Sequence, residues 1–226
     1  MKNLLIALIA TLYGHLVQAQ EVGISLSYQF INAGEWNRAT QVYNYSRPFL
    51  QEKQPLLRHG LSIGGYYLFS SSGSLGWGPS INISLNRSAA DNNAFDIAIN
   101  SLLLDVGARL QYRPTGMDKL FASFTPSIIG LRLNRRLNGD IIEVEDGNYT
   151  WKIRSLGIGA GAQVQLGYDV SPAKSHYQFS PIVGFGFAPA IWGSRSEVVF
   201  NESAAGDLKQ TTSLYRFNLG LLVKRR

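Results

Sequence analysis

Residues 155–168 read SLGIGAGAQVQLGY. Every second residue from Leu156 onward is apolar or aromatic, whereas the positions between hold glycine and glutamine. A period of two places the two sets on opposite faces of a β-strand. Gly157, Gly159 and Ala162 also match the spacing of the dinucleotide-binding motif G-x-G-x-x-A, but that motif needs a turn leading into a helix. Because the alternation runs straight through the motif, we predict one long strand.

The same alternation recurs along the rest of the chain. It is found near residues 22–30, 57–69, 75–85, 102–112, 119–133, 177–187 and 215–223, which gives eight strands in all. Short turns near 71–74, 113–118 and 170–175 alternate with polar loops at about 32–56, 86–98, 134–151 and 189–211. This pattern predicts an all-β, antiparallel, up-and-down barrel with its short turns and both termini at one end.

An internal repeat predicts the register of the fifth strand. WGPSI at 77–81, FTPSI at 124–128 and FSPIV at 179–183 share an aromatic residue, a small residue, proline and a later β-branched residue. The repeat places Leu120, Ala122, Phe124 and Ile128 on the outer face. The apolar phase then changes, because Ile129, Leu131 and Leu133 occupy the other set of positions. We expect a β-bulge at this change of phase.

The N-terminus has the features of a secretory signal peptide. Lys2 precedes the apolar run at 4–12, and small residues at 17–19 form a cleavage pattern, so we predict a signal at 1–19 and one barrel domain at 20–226. The chain has no cysteine and therefore no disulfide framework. Its formal charge of +6 suits a basic envelope protein near anionic headgroups, whereas secretion argues against a nucleic-acid partner.

Alternation alone does not show which face of the barrel wall contacts water and which contacts an apolar environment. A lipocalin-like soluble barrel has an apolar interior, and an outer-membrane barrel has an apolar exterior. Here the polar face is mostly glycine, serine, asparagine and glutamine, which suit the crowded lumen of an eight-stranded barrel. Asp105 and Arg109 share this face as a candidate polar pair in the lumen. Aromatic residues near the short-turn end fit an interfacial girdle, namely Tyr67, Phe69, Trp77, Tyr112, Phe121, Tyr168, Tyr177 and Phe179. The sequence favours the transmembrane barrel.

The chain resembles a known family in several of these segments. They are GWGPSINISL, FTPSIIGLRL, GAGAQVQLGY and the closing LYRFNLGLLV, and they resemble the small outer-membrane β-barrel proteins often called the porin family, abundant in Bacteroidota-like bacteria. The resemblance implies a bacterial outer-membrane location and insertion by the barrel assembly machinery, which reads the last strand. Asn218, Gly220 and Val223 fit that signal in part, and the chain ends in basic residues at 224–226 where an aromatic residue is common.

The residues available for chemistry argue against an enzyme. Beyond the predicted signal, the histidines are His59, expected on the lipid face near the long loops, and His176, expected at the short-turn end. A Ser-His-acid hydrolase needs its groups together, and these two histidines are expected at opposite ends of the barrel. The acidic run at 138–148 lacks the spacing of an EF-hand and is better explained as a solvated loop. We predict no cofactor and no metal.

The long-loop end holds the candidate binding residues. Arg132, Arg135 and Arg136 lie where the fifth strand leaves the membrane, and guanidinium groups there suit lipopolysaccharide phosphates. Loop aromatics, namely Trp36, Tyr43, Tyr45 and Trp192, serve either a binding surface or loop packing. The expected function is a non-enzymatic envelope barrel, structural or binding through its loops, with a lumen too narrow for general diffusion. Two alternatives stay open: an auxiliary subunit of a secretion or uptake complex, and a lipid-modifying enzyme.

Overall fold

The computed structural model of the chain describes residues 21–45, 53, 56–72, 74–92, 95–139, 149–170, 175–199 and 202–225. The predicted signal peptide at 1–19 lies outside these residues and stays a prediction. The elements in chain order are β1 (Glu21–Ala33), α1 (Gly34–Tyr45), β2 (His59–Ser72), β3 (Leu75–Asn92), β4 (Phe95–Tyr112), β5 (Leu120–Gly139), β6 (Tyr149–Tyr168), β7 (Tyr177–Val199) and β8 (Glu202–Arg225). None of the described helices is long and apolar enough to cross a membrane.

The strands form one closed antiparallel barrel in the order β1 to β8. Closure comes from the first and last strands, which pair from Val22 opposite Arg225 to Ala33 opposite Leu214. Every neighbouring pair in the chain is also a neighbouring pair in the wall. The predicted fold, an eight-stranded up-and-down barrel, is therefore confirmed.

Two of the predicted long loops are largely strand, and the described ends of a third, 134–139 and 149–151, are strand as well. β3 and β4 continue their pairing to Asn92 opposite Phe95, and β7 and β8 continue to Val199 opposite Glu202. The paired strands continue beyond the apolar segments into polar ones. These polar segments show no alternation of apolar and polar residues, so the sequence pattern did not predict them as strands. The first long loop was also predicted without a helix, but it begins with α1. These loop boundaries were wrong because pairing does not need an apolar face.

The fifth strand has no bulge at the predicted change of phase. β5 pairs with β6 in one unbroken register, from Leu120 opposite Tyr168 to Gly139 opposite Tyr149. Ile129 points inward and is 0% exposed. The apolar residues change face because the interior itself becomes apolar toward the long-loop end, while the strand stays regular.

The glycines of β6 face the lumen and leave room for side chains from other strands. A Cβ atom added at Gly157 would lie 2.7 Å from Ile191 Cγ2, and one at Gly161 would lie 2.6 Å from Ile129 Cδ1. Gly130 faces outward, where the nearest atom to such a Cβ is 3.9 Å away. The stretch that resembles a phosphate-binding motif therefore provides space inside a narrow barrel.

Candidate lumen site and membrane surface

The lumen near the short turns holds a chain of buried ion pairs, which we call the lower network: Glu21, Arg113, Asp169 and Lys224. Arg113 lies 2.9 Å from a carboxylate oxygen of Glu21 and 2.9 Å from one of Asp169. Lys224 Nζ lies 2.6 Å from the other oxygen of Asp169. These side chains come from β1, from the turns after β4 and β6, and from β8. The lower network thus ties separate parts of the wall together across the lumen.

Two members of the lower network lie in turns, and their protonation is set by their neighbours. Burial raises the pKa of the Asp169 carboxyl, but hydrogen bonds from Lys224 and Ser180 outweigh it and hold that pKa below its usual value. Burial lowers the pKa of Arg113, whereas the charge of Glu21 and the hydrogen bond to Asp169 raise it above its usual value. Both groups are held in their charged forms.

The predicted polar pair lies in the next layer of the lumen, which we call the middle layer. Asp105 and Arg109 are both buried, 6% and 5% exposed. The ion-pair partner of Asp105 is Arg216 of β8, whose Nη2 lies 3.1 Å from Asp105 Oδ1. Asn82 donates a further hydrogen bond to Asp105 at 3.2 Å. The structure thus joins Asp105 to a residue across the barrel that the sequence did not point to.

Arg109 is held by amide groups and an aromatic ring. Its Nη1 donates to Gln165 Oε1 at 2.7 Å, and its Nη2 donates to Gln111 Oε1 at 3.1 Å. The guanidinium lies over the ring of Tyr66, 4.3 Å from the ring centroid. These contacts fix the arginine without a carboxylate in hydrogen-bonding contact among the described residues.

Beyond the middle layer the interior becomes apolar, and we call this part the upper cluster. Its buried members are Ile31, Ala33, Leu57, Ile99, Leu103, Ile129, Leu131, Leu133, Ala188, Ile191 and Leu214. Trp36 of α1 packs against the upper cluster. Asn37 Oδ1 accepts from the backbone N–H of Leu57 at 2.9 Å, and Asn37 Nδ2 donates to the Leu57 carbonyl at 3.0 Å. These two hydrogen bonds hold both ends of the first loop over the lumen.

The outer wall carries a continuous apolar surface around all eight strands. The exposed side chains include Ile24, Leu26, Leu61, Ile63, Ile81, Ile83, Leu104, Val106, Ile128, Ile158, Val164, Phe185, Leu219 and Leu221. Soluble proteins seldom expose apolar patches above a few hundred Å², on the order of 300–600 Å². A closed barrel with a polar lower lumen and an apolar exterior is suited to a lipid bilayer. A lipocalin-like soluble barrel would have its apolar face inside and a polar exterior. The barrel is of the outer-membrane type.

Solved structures of outer-membrane proteins are similar to this chain. No family model matches the sequence, and no curated protein matches it. Among solved structures, the chain is similar to a major outer membrane protein from Thermus thermophilus (11% identity, 90% of this chain and 99% of that chain, TM-score 0.48). It is also similar to the outer membrane protein OprG from Pseudomonas aeruginosa (12%, 92% and 96%, 0.47) and the outer membrane protease OmpT from Escherichia coli (9%, 92% and 97%, 0.49). Likenesses this distant carry no argument about function, so the assignment rests on the barrel itself.

The predicted aromatic girdle lies on the outer wall with one exception. Phe69 and Trp77 contact each other there, with ring centroids 5.2 Å apart. Phe121 was placed in the girdle but points into the lumen, where it is 0% exposed. Lys224 Nζ lies 4.1 Å from its ring centroid and Arg113 lies 5.4 Å away. The prediction for Phe121 was wrong because it occupies the inward phase of β5 and serves as a cation–π partner for the lower network.

The two histidines lie at opposite ends of the barrel. His59 faces outward and stacks on Tyr28 with ring centroids 5.9 Å apart. His176 is exposed beside the start of β7, at the short-turn end. Among the described residues, no three His, Asp or Glu side chains are grouped to hold a metal ion. The acidic segment 140–148 lies outside the described residues.

The remaining candidate residues lie near the long-loop end. Arg132 is exposed on the outer face of β5, between Leu102 of β4 and Leu156 of β6. Arg135 and Arg136 belong to β5, but their side chains lie outside the described residues, as does that of Tyr43. Trp192 was predicted in a loop; it belongs to β7 and faces outward, 60% exposed. Tyr45 ends α1 and is 89% exposed.

Proposed function

We propose that this protein is a non-enzymatic outer-membrane barrel that keeps its lumen closed and acts through its extracellular surface. The observation that carries the proposal is the filling of the lumen by three successive layers: the lower network, the middle layer and the upper cluster. Leu103 and Phe121, which belong to different layers, are each 0% exposed. A solute would have to displace ion pairs, hydrogen bonds and packed apolar side chains in turn.

Barrel size supports the same conclusion. An eight-stranded barrel is just wide enough for its interior to be filled by side chains, whereas aqueous porin channels need ~16–18 strands. The first loop adds a further barrier, because the paired hydrogen bonds between Asn37 and Leu57 hold it against the upper cluster. The proposed role is therefore structural or binding rather than diffusive.

Conductance across a planar lipid bilayer tests the closed lumen. The purified barrel, folded and inserted, should give no current steps above the protein-free bilayer. A 16-stranded porin inserted in the same bilayer serves as the positive control for detection. Heat-modifiable migration of the same sample on a gel shows that the protein is folded. Regular single-channel steps for ions or sugars from the folded barrel would contradict the proposal.

Contact with lipopolysaccharide is the proposed role of the basic rim. Arg132, exposed between two leucines at the edge of the apolar surface, can place its guanidinium at the level of headgroup phosphates. Arg135 and Arg136 follow it in the same strand and are proposed to belong to the same rim. The support is the position of Arg132 in the wall and the affinity of guanidinium for phosphate.

A matched pair of variants tests the lipopolysaccharide contact. Arg132→Gln should weaken binding of lipopolysaccharide micelles about tenfold, since a charge-assisted bond contributes ~1.5–3 kcal/mol. Arg225→Gln removes the same charge from an exposed site at the opposite end and should leave binding unchanged. Equal effects of both variants would show that the contact is only a response to net charge.

A further inference from the structure

The middle layer contains a polar cavity of about 40 Å³. Residues from six strands, β1 to β6, line it, among them Ser25, Asp105, Arg109, Thr125, Ser127 and Gln163. A water molecule needs ~10–15 Å³ of such space, so the cavity has room for a small ion together with water. Gly64 keeps one side open, because a Cβ there would lie 2.8 Å from Ser25 Oγ and 3.0 Å from Asn82 Oδ1.

Several of the groups that line this cavity can donate hydrogen bonds and have donor capacity left. A guanidinium has five N–H groups, and Arg109 uses three of them on Gln165 and Gln111. Ser25, Thr125, Ser127 and Gln163 contribute hydroxyl and amide donors, and none of these side chains has a partner within the described part of the chain. The cavity thus presents several donors to one small volume.

The carboxylate of the cavity is already neutralised. Asp105 forms an ion pair with Arg216 and accepts a hydrogen bond from Asn82. Across the described lumen, the buried or half-buried charges are four cations, Arg109, Arg113, Arg216 and Lys224, and three carboxylates, Glu21, Asp105 and Asp169. One positive charge is left without a carboxylate, and Arg109 is the cation whose hydrogen bonds go to amide groups and whose guanidinium lies over the ring of Tyr66.

We propose that the middle cavity binds a small monovalent anion of the size of chloride, held by Arg109 and the surrounding hydroxyl and amide donors. An unpaired charge in a low-dielectric interior is costly, by several kcal/mol or more, so a bound anion beside Arg109 stabilises the folded barrel. Asp105 does not favour a cation here, since its charge is matched by Arg216. The site is internal and would act in stability; it does not depend on conduction.

Bromide, which replaces chloride and scatters anomalously, is the direct probe. Crystals of the full barrel folded in sodium bromide should show an anomalous peak in the cavity within hydrogen-bonding distance of Arg109. Thermal unfolding followed by heat-modifiable migration should also have a midpoint about 5 °C higher in chloride than in gluconate at equal ionic strength, a size expected for a site near saturation. Water alone at the site, with equal midpoints in both salts, would overturn the proposal.

Two variants separate specific binding from general salt effects. Arg109→Gln removes the charge, and Gly64→Ala adds a methyl group to the cavity from β2; both should abolish the difference between chloride and gluconate. Gly65→Ala is the matched control for the second, because Gly65 faces outward with the nearest atom 4.0 Å from an added Cβ. Arg225→Gln is the charge-matched control for the first. If Arg109→Gln does not fold, Gly64→Ala and the bromide peak still decide, and a halide effect that survives Gly64→Ala counts against the site.

Discussion

The two ends of the lumen are built on different physical principles. Near the short turns the interior is charged, and the lower network satisfies buried ions with one another and with hydrogen-bonding partners such as Tyr66, which donates to Glu21 at 2.9 Å. Toward the long loops the interior is apolar, and the upper cluster packs Ile129, Leu131 and Leu133 with apolar side chains of other strands, while Trp36 of α1 packs against the cluster. The outer wall is apolar beside both. The same strand can therefore have one apolar face at one end and two at the other.

Because of this difference, we expect the two ends of the lumen to tolerate different kinds of substitution. The lower network depends on the charge of each member, because a buried ion that loses its partner is left uncompensated. The upper cluster depends on volume, because apolar interiors are close-packed and respond to both cavities and added atoms. Changes of charge should therefore be most harmful below, and changes of volume most harmful above.

The largest expected effect is a change of volume beside the upper cluster. Gly159→Leu should prevent barrel formation, since a Cβ at this inward position would already lie 3.1 Å from both Cα and Cγ1 of Ile191 in the neighbouring strand β7. Gly130→Leu adds the same side chain to the outer face and should fold normally. Heat-modifiable migration after refolding into detergent measures both. Normal folding of Gly159→Leu would show that the upper lumen is loosely packed.

Breaking the central ion pair should have the next largest effect. Asp105→Asn leaves Arg216 buried without its carboxylate and should destabilise the barrel by about 3–5 kcal/mol, as breaking buried pairs generally does. The double variant Asp105→Asn with Arg216→Met removes both charges and should recover a large part of that loss. Urea unfolding in lipid vesicles gives both values. A double variant no more stable than the single one would count against the ion pair as the cause.

A smaller and local effect is expected at the cap of the upper cluster. Asn37→Ala removes both hydrogen bonds to the Leu57 backbone and should cost ~1–3 kcal/mol, most of it in the attachment of the first loop. Proteolysis should then cut within 34–58 faster than in the parent protein, while the barrel stays intact. Arg38→Ala, at an exposed neighbouring position, is the control and should leave the cleavage rate unchanged.

Replacing Asp169 in the lower network should have the smallest effect on stability at neutral pH, and its effect should appear on acidification. The pKa of Asp169 lies below its usual 3.8 in the folded barrel, so this carboxylate contributes stability that is complete well above pH 3.8. That contribution is lost as the pH falls from about this value through the lowered pKa. Asp169→Asn should therefore flatten the fall in stability on acidification, measured as unfolding midpoints between pH 6 and pH 2. An unchanged acid profile would place the loss elsewhere.

Much of the wall could be predicted from the sequence, because a period of two is a local property. The outward set of β4, from Leu102 to Tyr112, follows directly from alternation. The partners inside the lumen could not be predicted in the same way. Arg216 meets Asp105 across 111 positions of sequence, and this meeting depends on the stagger of strands around the closed barrel. A usable signal was present, since Arg216 and Lys224 occupy the inward phase of β8 among apolar outward residues.

The upper cluster and α1 were missed for a different reason. Where both faces of a strand are apolar, as at Ile128 and Ile129, alternation disappears and resembles a bulge. The helix lies in a polar segment whose stability comes from Trp36 packing and the Asn37 bonds to Leu57, contacts that no local pattern reveals. Tertiary contacts, more than local propensity, determine this end of the molecule.

The accessibility of spin labels in the wall measures which face of the barrel contacts lipid. The chain has no cysteine, so labels can be placed one at a time at Leu104, Val106 and Ile128 on the outer face and at Thr125 and Ser127 on the inner face. In lipid vesicles the outer labels should be relaxed strongly by oxygen and weakly by a water-soluble nickel chelate. The inner labels should respond little to either. Strong relaxation of the outer labels by the nickel chelate would contradict the account, because these positions would then face water.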